Sequence, residues 1–373
     1  MATVALISSY TPSLVGFRGP LVKEMVDAGH RVVAFGVERD EATEDVLAEL
    51  GAEFRTWRLV RAGLNPMPDL LSLADLTRQL REIGPDVVLS YTMKPVVYGS
   101  LAARMAGVPK IYSMVTGLGY AFIGSDSRAR LAGLVAGQLL RRAFRYNDGV
   151  LVYNSDIDRA FRERGLFRSP EQAILIGGTG VDLSSYSVAP LPEGPLTFLL
   201  IARLLADKGI REFAHAARRL KPHWPDARFV LVGPYDPNPT GLKPSEVEGW
   251  VREGYIEYRG PVADVRPSIG DCSVYVLPSY AEGVPRTVQE AMAMGRPIVT
   301  TDAPGCRDTV VQGETGLLVP PRDAAALADA IEWFLTNPER IAPMGEASRH
   351  LAEQRFDVHA INRRILKITG LGP

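Results

Sequence analysis

The chain has 373 residues, more than a single hydrophobic core comfortably accommodates, so we expect two domains. Its 42 basic and 43 acidic residues nearly cancel to a net charge of −1, which argues against nucleic acid as its partner. Cys272 and Cys306 are its only cysteines and neither stands in a metal-ligand pattern, so a reducing compartment fits best. No run of about 20 apolar residues occurs, and any membrane contact is expected to be peripheral.

Apolar, β-prone runs alternate with helical stretches along the first half, a pattern that predicts βαβ units and a parallel sheet. The first run has no basic leader before it, so we expect a strand there and not a signal peptide. The predicted strands are Val4–Ile7, Val32–Phe35, Val87–Leu89, Ile111–Ser113 and Val150–Tyr153. The predicted helices are Leu21–Ala28, Asp69–Glu82, Val97–Ala106, Ala129–Phe144 and Ile157–Arg164.

A second set of strands predicts a second parallel sheet. Its members are Thr197–Ile201, Phe229–Val232, Ile256–Tyr258, Val274–Leu277 and Ile298–Thr300. Between the two sets, Val188–Pro195 contains three prolines and is typical of an interdomain linker. We therefore expect Rossmann-like domains at 1–187 and 196–356, with a final helix at Asp357–Thr369.

The stretch from Ser279 to Glu290 predicts an anion site. It follows a strand with a polar turn and opens a helix, whose first backbone N–H groups are unpaired and whose dipole favours negative charge. Glu282 lies in the turn and Glu290 lies in the helix, so the carboxylates can face different parts of one ligand. Capping by Glu282 and solvation of Glu290 would be the simpler interpretation of such a pair alone. The glycines and prolines that punctuate this unit favour a ligand, since they permit close backbone approach.

Two cations follow the first strand of the second domain. Arg203 and Lys208 stand at the carboxyl end of Thr197–Ile201, where open α/β sheets bind ligands. An ordinary solvated turn is the alternative interpretation of these residues in isolation.

These motifs resemble those of the retaining glycosyltransferases of family 4, and the resemblance spans nearly the whole chain. It implies an α/β GT-B fold, in which two Rossmann-like domains face across a cleft and a C-terminal helix, here within 357–373, crosses back to the first domain. It also implies that Glu282 contacts the donor sugar and Glu290 the ribose, while Arg203 and Lys208 neutralise the donor diphosphate and stabilise the leaving UDP. The turn between the glutamates would hold that diphosphate through Gly283, Val284, Pro285 and Thr287.

The resemblance assigns the remaining donor contacts to three loops. The loop with Arg259 and Val262 resembles the one that reads the nucleobase edge, usually uracil, and Gly233 would let the base approach closely. A surface turn is the alternative for that loop. Gly16, between the first strand and the first helix, would meet the donor phosphate, although many family members carry Gly-Gly where this chain has Gly16-Phe17.

Segments after the strands Val87–Leu89 and Ile111–Ser113 resemble the branch of family 4 that adds N-acetylhexosamine to polyprenyl-diphosphate-linked acceptors. The bacillosaminyl-diphosphoundecaprenol N-acetylgalactosaminyltransferases belong to that branch. The residues expected to bind the acceptor are Arg18, Lys94, Tyr98, Thr116 and Gly117. Taken singly, Tyr98 and Phe122 are more simply core aromatics, and Arg18 could be surface at a helix start.

The named loops contain no D-x-D motif, no H-E-x-x-H motif and no histidine, so we expect neither a metal nor a cofactor. The resemblance implies a UDP-sugar donor and attack by the acceptor hydroxyl on the face from which UDP departs. Double displacement through Glu282 is the enzymatic alternative. The functional alternatives are a phosphorylase or soluble-acceptor synthase, a non-catalytic nucleotide-binding module and a dehydrogenase. The dehydrogenase is disfavoured because G-x-G-x-x-G does not follow the first strand.

Basic residues concentrate between Asp86 and Arg145, a segment with eight basic and two acidic residues. We expect the helix Ala129–Phe144 to meet an anionic membrane surface at the cytoplasmic face of the inner membrane, because a lipid-linked acceptor would lie there. A core helix with solvated arginines is the alternative. The arginines expected to face the leaflet are Arg128, Arg130, Arg141, Arg142 and Arg145.

Overall fold

A computed structural model describes residues 1–60, 66–117, 122 and 127–372; the side chains of Pro66 and of 127–130 are not described. The chain forms two compact units, one made of Met1–Thr179 with Val358–Pro373 and the other of Gly180–Asp357. Each unit is a Rossmann-like α/β domain with a parallel sheet.

The first unit is built on a parallel sheet whose described strands run in the order β3-β2-β1-β4-β5-β6-β7. Residues Val4–Ile7 of an interior strand are fully buried, as a strand covered by helices on both faces requires. The strands are β1 (Thr3–Ile7), β2 (Arg31–Gly36), β3 (Glu53–Thr56), β4 (Val87–Tyr91), β5 (Lys110–Val115), β6 (Gly149–Val152) and β7 (Ala173–Leu175).

Helices connect these strands. They are α1 (Ser13–Gly16), α2 (Gly19–Asp27), α3 (Glu41–Glu49), α4 (Pro66–Ile83), α5 (Met93–Ala106), α6 (Ser127–Phe144) and α7 (Ser155–Glu163). Asp40 and Asn154 cap α3 and α7 by accepting a backbone N–H three residues on. Helix α5 contacts both α4 and α6, so these three helices pack side by side.

The second unit repeats this plan with a sheet whose described strands run in the order β10-β9-β8-β11-β12-β13. The strands are β8 (Thr197–Ile201), β9 (Arg228–Val232), β10 (Glu257–Tyr258), β11 (Val274–Leu277), β12 (Ile298–Thr301) and β13 (Gly316–Val319). The helices are α8 (Ile210–Leu220), α9 (Pro244–Arg252), α10 (Arg266–Gly270), α11 (Arg286–Ala293), α12 (Ala324–Thr336) and α13 (Ile341–Arg355). Single 3₁₀ turns occur at Pro170–Gln172, Ala206–Lys208, Arg307–Thr309 and Pro338–Arg340.

The final helix, α14 (Val358–Thr369), packs against α2 in the first unit, as the family resemblance implied. His359 Nδ1 lies 2.8 Å from Glu24 Oε1, and the Asn362 amide donates to the same carboxylate. Tyr112 donates to the carbonyl of Ile368 at 3.0 Å, which fastens the end of the helix to β5.

The proline-rich stretch Val188–Pro195 lies inside the second unit and is not where the chain passes between units. The buried Arg296 explains this placement: its guanidinium donates to the carbonyls of Ala189 and Pro190, both at 2.8 Å. The crossings fall at Thr179–Gly180 and at Asp357–Val358. The prediction of an interdomain linker at Val188–Pro195 was based on proline content, which carries no information about Arg296.

Candidate active site

Both donor motifs lie at the topological switch point of the second sheet. The strand order reverses between β8 and β11, which are hydrogen-bonded neighbours. Residues 202–208 follow β8 and residues 278–285 follow β11, so the two loops share one edge of the sheet. In open α/β sheets this position forms the ligand crevice.

The structure joins the two motifs through Lys208 and Glu282. Lys208 Nζ lies 2.5 Å from Glu282 Oε1, and each side chain is only 17% exposed. Burial lowers the pKa of Lys208, but the facing Glu282 carboxylate, helped by Asp207, outweighs it, so the pKa lies above its ordinary value. The ammonium is therefore charged at working pH, held where a donor phosphate could replace part of its pairing.

Backbone contacts hold the two loops together. The carbonyl of Asp207 accepts hydrogen bonds from the Tyr280 N–H at 2.8 Å and from the Ser279 hydroxyl at 3.0 Å. Behind the turn, the φ of Gly305 is +76°, and a Cβ there would lie 2.3 Å from the carbonyl oxygen of Glu282. Only glycine fits at this position, so the 303–305 segment supports the turn that carries Glu282.

Helix α11 begins at Arg286, after Pro285, and no side chain among the described residues caps its N-terminus. Its first amides are thus oriented toward the loop edge as an anion-binding end. Val284 and Pro285 are buried under the turn, whereas Gly283 and Thr287 are half-buried. The Thr287 hydroxyl donates to the carbonyl of Ile201 at the end of β8, at 3.4 Å.

Glu290 is 5% exposed, so its carboxylate is not the solvated group that the simpler interpretation required. Arg286 Nε donates to Glu290 Oε1 at 2.9 Å, and Tyr186 also interacts with this carboxylate. Burial raises the pKa of Glu290, and Arg286 and Tyr186 offset that only in part. The site thus contains a buried carboxylate one helical turn beyond the start of α11.

Arg203 is the exposed cation of this site. Its side chain is 62% exposed, and Nη1 lies 2.8 Å from Asp236 Oδ2. Since surface ion pairs of this kind contribute little to stability, Arg203 can exchange its partner for a ligand anion at low cost.

The loops expected to read the base lie together beyond β9 and β10. The N–H of Gly233 donates to the carbonyl of Gly260 at 2.9 Å, between Arg259 and Val262. A Cβ at Gly233 would lie 1.8 Å from the carbonyl oxygen of Ala202, so packing of the loop against β8 already requires glycine there. Arg259 Nη1 lies 3.6 Å from the carboxylate of Asp271.

In the first unit, Gly16 ends α1 in an exposed position, but Arg18 is 3% exposed and is not surface. Its guanidinium carbon lies 4.9 Å from the ring centroid of Tyr91, and it donates to the Tyr153 hydroxyl. Its Nε is buried and has no hydrogen-bond partner among the described residues. Arg18 is thus a buried cation held by aromatic rings at the carboxyl edge of the first sheet.

Lys94 and Tyr98 both bind Asp69 at the start of α4, and neither is hydrogen-bonded to Arg18 among the described residues. Lys94 Nζ lies 2.9 Å from Asp69 Oδ1, and the Tyr98 hydroxyl donates to Oδ2 at 2.6 Å. Lys94 also donates to the carbonyl of Val60 at 2.8 Å. These bonds tie α5 to α4, which is a structural role that the sequence did not reveal.

Thr116 and Gly117 directly follow β5 and are half-buried, while 118–121 lie outside the described residues. Phe122 packs on Phe161 with ring centroids 5.4 Å apart, as a core aromatic does. Asp126 and the side chains of Arg128 and Arg130 also lie outside the described part.

The sequence analysis assigned no role to Tyr280, although this residue lies within the Ser279–Glu290 stretch. Its hydroxyl donates to Glu212 Oε1 at 2.6 Å, and the Arg322 guanidinium lies 4.6 Å from its ring centroid. Arg322 adopts φ +63°, a strained conformation for a residue with a side chain. Tyr280 therefore helps to fix the turn that carries Glu282, through its contacts with Glu212 and Arg322.

Within the described ranges, no group of three or more His, Cys, Asp or Glu side chains is gathered as a metal ion would require. Within the same ranges, no helix combines the length and apolar character needed to cross a membrane.

Comparison with known proteins extends across both units. The glycosyl transferase 4-like domain model matches residues 19–177, and the model of glycosyl transferases group 1 matches residues 195–337. The N,N′-diacetylbacillosaminyl-diphospho-undecaprenol α-1,3-N-acetylgalactosaminyltransferase of Campylobacter jejuni is 28% identical, covering 98% of this chain and 97% of the relative.

Solved structures agree on the fold. HepE of Anabaena, crystallised with UDP-glucose, superposes with a TM-score of 0.79 at 20% identity, covering 98% of this chain and 99% of that one. Sucrose-phosphate synthase from Thermosynechococcus elongatus gives a TM-score of 0.81 at 22% identity, over 99% and 98% of the chains. The chain is a hexosyltransferase of the GT-B fold, in which a glycosyl transferase 4-like domain is followed by a glycosyl transferases group 1 domain.

Proposed function

We propose that the chain transfers a hexosamine-type sugar, most simply N-acetylgalactosamine, from a UDP-sugar to a sugar on a polyprenyl-diphosphate-linked acceptor. The observation that carries the proposal is the Lys208–Glu282 pair beside the N-terminus of α11, which places a cation, a carboxylate and the first backbone amides of a helix at one edge of the sheet. The Campylobacter relative, whose name specifies this donor sugar and a diphospho-undecaprenol acceptor, supports the choice of substrates.

The proposed reaction retains the anomeric configuration and needs no metal. The bond between the anomeric carbon and the UDP oxygen breaks while the acceptor oxygen bonds to that carbon on the same face. The acceptor hydroxyl proton passes to the β-phosphate of the departing UDP. Lys208, Arg203 and the amides of α11 would stabilise the charge that develops on UDP, which is the task a metal performs elsewhere. Arg18 and the residues after β5 are our candidates for acceptor contact.

The test is to incubate the purified chain with a panel of UDP-sugars and polyprenyl-diphosphate-linked sugars, and to analyse the products by mass spectrometry and NMR. We expect one added N-acetylhexosamine with an α linkage, at an unchanged rate in EDTA. A rate that is lost in EDTA and restored by Mg²⁺ or Mn²⁺ contradicts the metal-independent step. A β-linked product contradicts retention.

A further inference from the structure

Helix α6 has an exposed face that changes character along its length. Leu131, Leu134 and Val135 are 65%, 70% and 41% exposed. Their spacing of three and four places them on one side of the helix, and Arg142 continues that side two turns later. At 1.5 Å per residue, about 16 Å separates Leu131 from Arg142. One exposed stripe is thus apolar at its start and basic at its end.

Only some of the arginines that the sequence assigned to the membrane-facing surface are available at the basic end of α6. Arg142 and Arg145 are exposed, as that expectation required. Arg141 instead donates to the carbonyls of Gly165 and Arg164, at 3.0 and 2.6 Å, so it anchors the end of α7. Charge alone therefore gives an incomplete account of this helix, because its exposed residues include Leu131 and Leu134.

Helix α4 presents a second apolar pair at the matching position. Leu70 and Leu71, near its start, are 60% and 48% exposed. Helices that connect parallel strands run opposite to them, so the first turns of α4 and α6 lie toward the carboxyl ends of the strands. That is the edge at which α/β sheets bind ligands.

We infer that Leu70, Leu71, Leu131, Leu134 and Val135 form a docking surface that inserts into a lipid leaflet, with Arg142 and Arg145 on its anionic headgroups. A lipid leaflet fits because the exposed apolar side chains at the ligand edge can enter its acyl region, while the exposed cations farther along α6 attract its anionic headgroups. The inference rests on the proposed lipid-linked acceptor, whose tail would reach the enzyme from this side.

Vesicle flotation without any substrate tests the surface. The variants are Leu131→Gln/Leu134→Gln, Leu70→Gln/Leu71→Gln and Arg142→Glu/Arg145→Glu, with Val188→Gln/Val251→Gln as the matched control for exposed apolar residues in the second unit. Vesicles of phosphatidylcholine with phosphatidylglycerol, and of phosphatidylcholine alone, are compared at low and high salt.

We expect each leucine pair to weaken binding about tenfold or more on both vesicle types, at both salt levels, because the lost contact is apolar. The arginine pair should weaken binding only to anionic vesicles at low salt, by roughly fivefold for each charge. The control should bind as the wild type does. Unchanged flotation of the leucine variants overturns the inference. A second outcome also overturns it: light scattering shows a wild-type dimer, and the leucine variants are monomeric but still bind vesicles. In that case a second copy of the chain, and not a lipid leaflet, would cover this surface.

Two readouts separate this inference from the proposed function. UDP affinity should be unchanged in every variant, and activity on a short water-soluble acceptor should persist. If the wild type binds vesicles and the leucine variants do not, but the enzyme uses no lipid-linked acceptor, the proposed substrate is wrong and the inferred membrane surface is still supported. Glycosyl transfer to a lipid-linked acceptor by leucine variants that float normally would reject the surface alone.

Discussion

Each unit contains a largely buried lysine that is paired with a carboxylate, Lys208 in the second unit and Lys94 in the first, but the two pairs have different roles. In the second unit, Lys208 pairs with Glu282 on two loops at the sheet edge, beside the N-terminus of α11. In the first unit, Lys94 pairs with Asp69 between two helices and also binds a backbone carbonyl. A lysine–carboxylate pair between two loops at the sheet edge can exchange a partner with a ligand, whereas a pair between two packed helices holds the fold. We therefore expect loss of Lys208 to lower turnover and loss of Lys94 to lower stability.

The largest effect is expected from Lys208→Met. Removing this cation should lower turnover about 10²–10³-fold, the usual cost of deleting one group that stabilises charge in the transition state. Steady-state rates at saturating donor measure it. Lys94→Met serves as the control, and its turnover per folded molecule should match the wild type. Equal losses in both variants would break the comparison.

Lys94→Met should instead lower stability. The change leaves the buried carboxylate of Asp69 without its ammonium, which should cost about 3 kcal/mol, the lower end for breaking a buried ion pair. Urea unfolding followed by circular dichroism measures the free energy of unfolding. If Lys94→Met is as stable as the wild type and has a raised KM for the lipid-linked acceptor, Lys94 binds the acceptor and does not serve the fold.

The two glutamates of the second unit sharpen the comparison further. Glu290→Gln should weaken binding of UDP by about 1.5–3 kcal/mol, because a ribose hydroxyl loses a charged acceptor. Glu282→Gln should leave UDP affinity nearly intact and lower turnover of the full UDP-sugar. Titration calorimetry on both variants distinguishes them, and equal UDP affinities would refute the division of roles.

A smaller effect should appear in the pH dependence of UDP binding. Burial holds the pKa of Glu290 above the ordinary range, so its carboxylate takes up a proton at a higher pH than an exposed glutamate. UDP affinity should be full above that pKa and fall as the pH is lowered through it, by up to about tenfold. Glu290→Gln should remove this dependence. A wild-type affinity that rises on acidification would contradict the assignment.

The sequence predicted the interior strands and the edge strand β10, but it missed the other three edge strands, β3, β7 and β13. β8 and β11 were predicted at their observed bounds, because buried parallel strands are uninterrupted apolar runs. β3 and β7 are edge strands with half-exposed residues, and β13 is the edge of the second sheet, so their runs are weak. Helix α3 was missed as well, since only its Asp40 cap marks its start.

The candidate site divides in the same way. The two segments predicted to bind the donor lie together because their residues directly follow neighbouring strands, and the sheet edge brings such residues together. The pairing of Arg203 with Asp236, and of Glu290 with Tyr186, could not be predicted because the partners come from distant segments without a motif. The burial of Arg18 and the Asp69 contacts of Lys94 and Tyr98 depend on helix packing, which has no local signal.

The account depends most on the claim that the donor diphosphate binds at Lys208 in the second unit. Calorimetric titration of UDP into the wild type, Lys208→Met and Lys94→Met tests it directly, since UDP carries the diphosphate and no sugar. The account predicts wild-type affinity for folded Lys94→Met and affinity at least tenfold weaker for Lys208→Met, since a charge-assisted phosphate contact is lost. Wild-type UDP affinity in Lys208→Met, or its loss in folded Lys94→Met, would contradict the account.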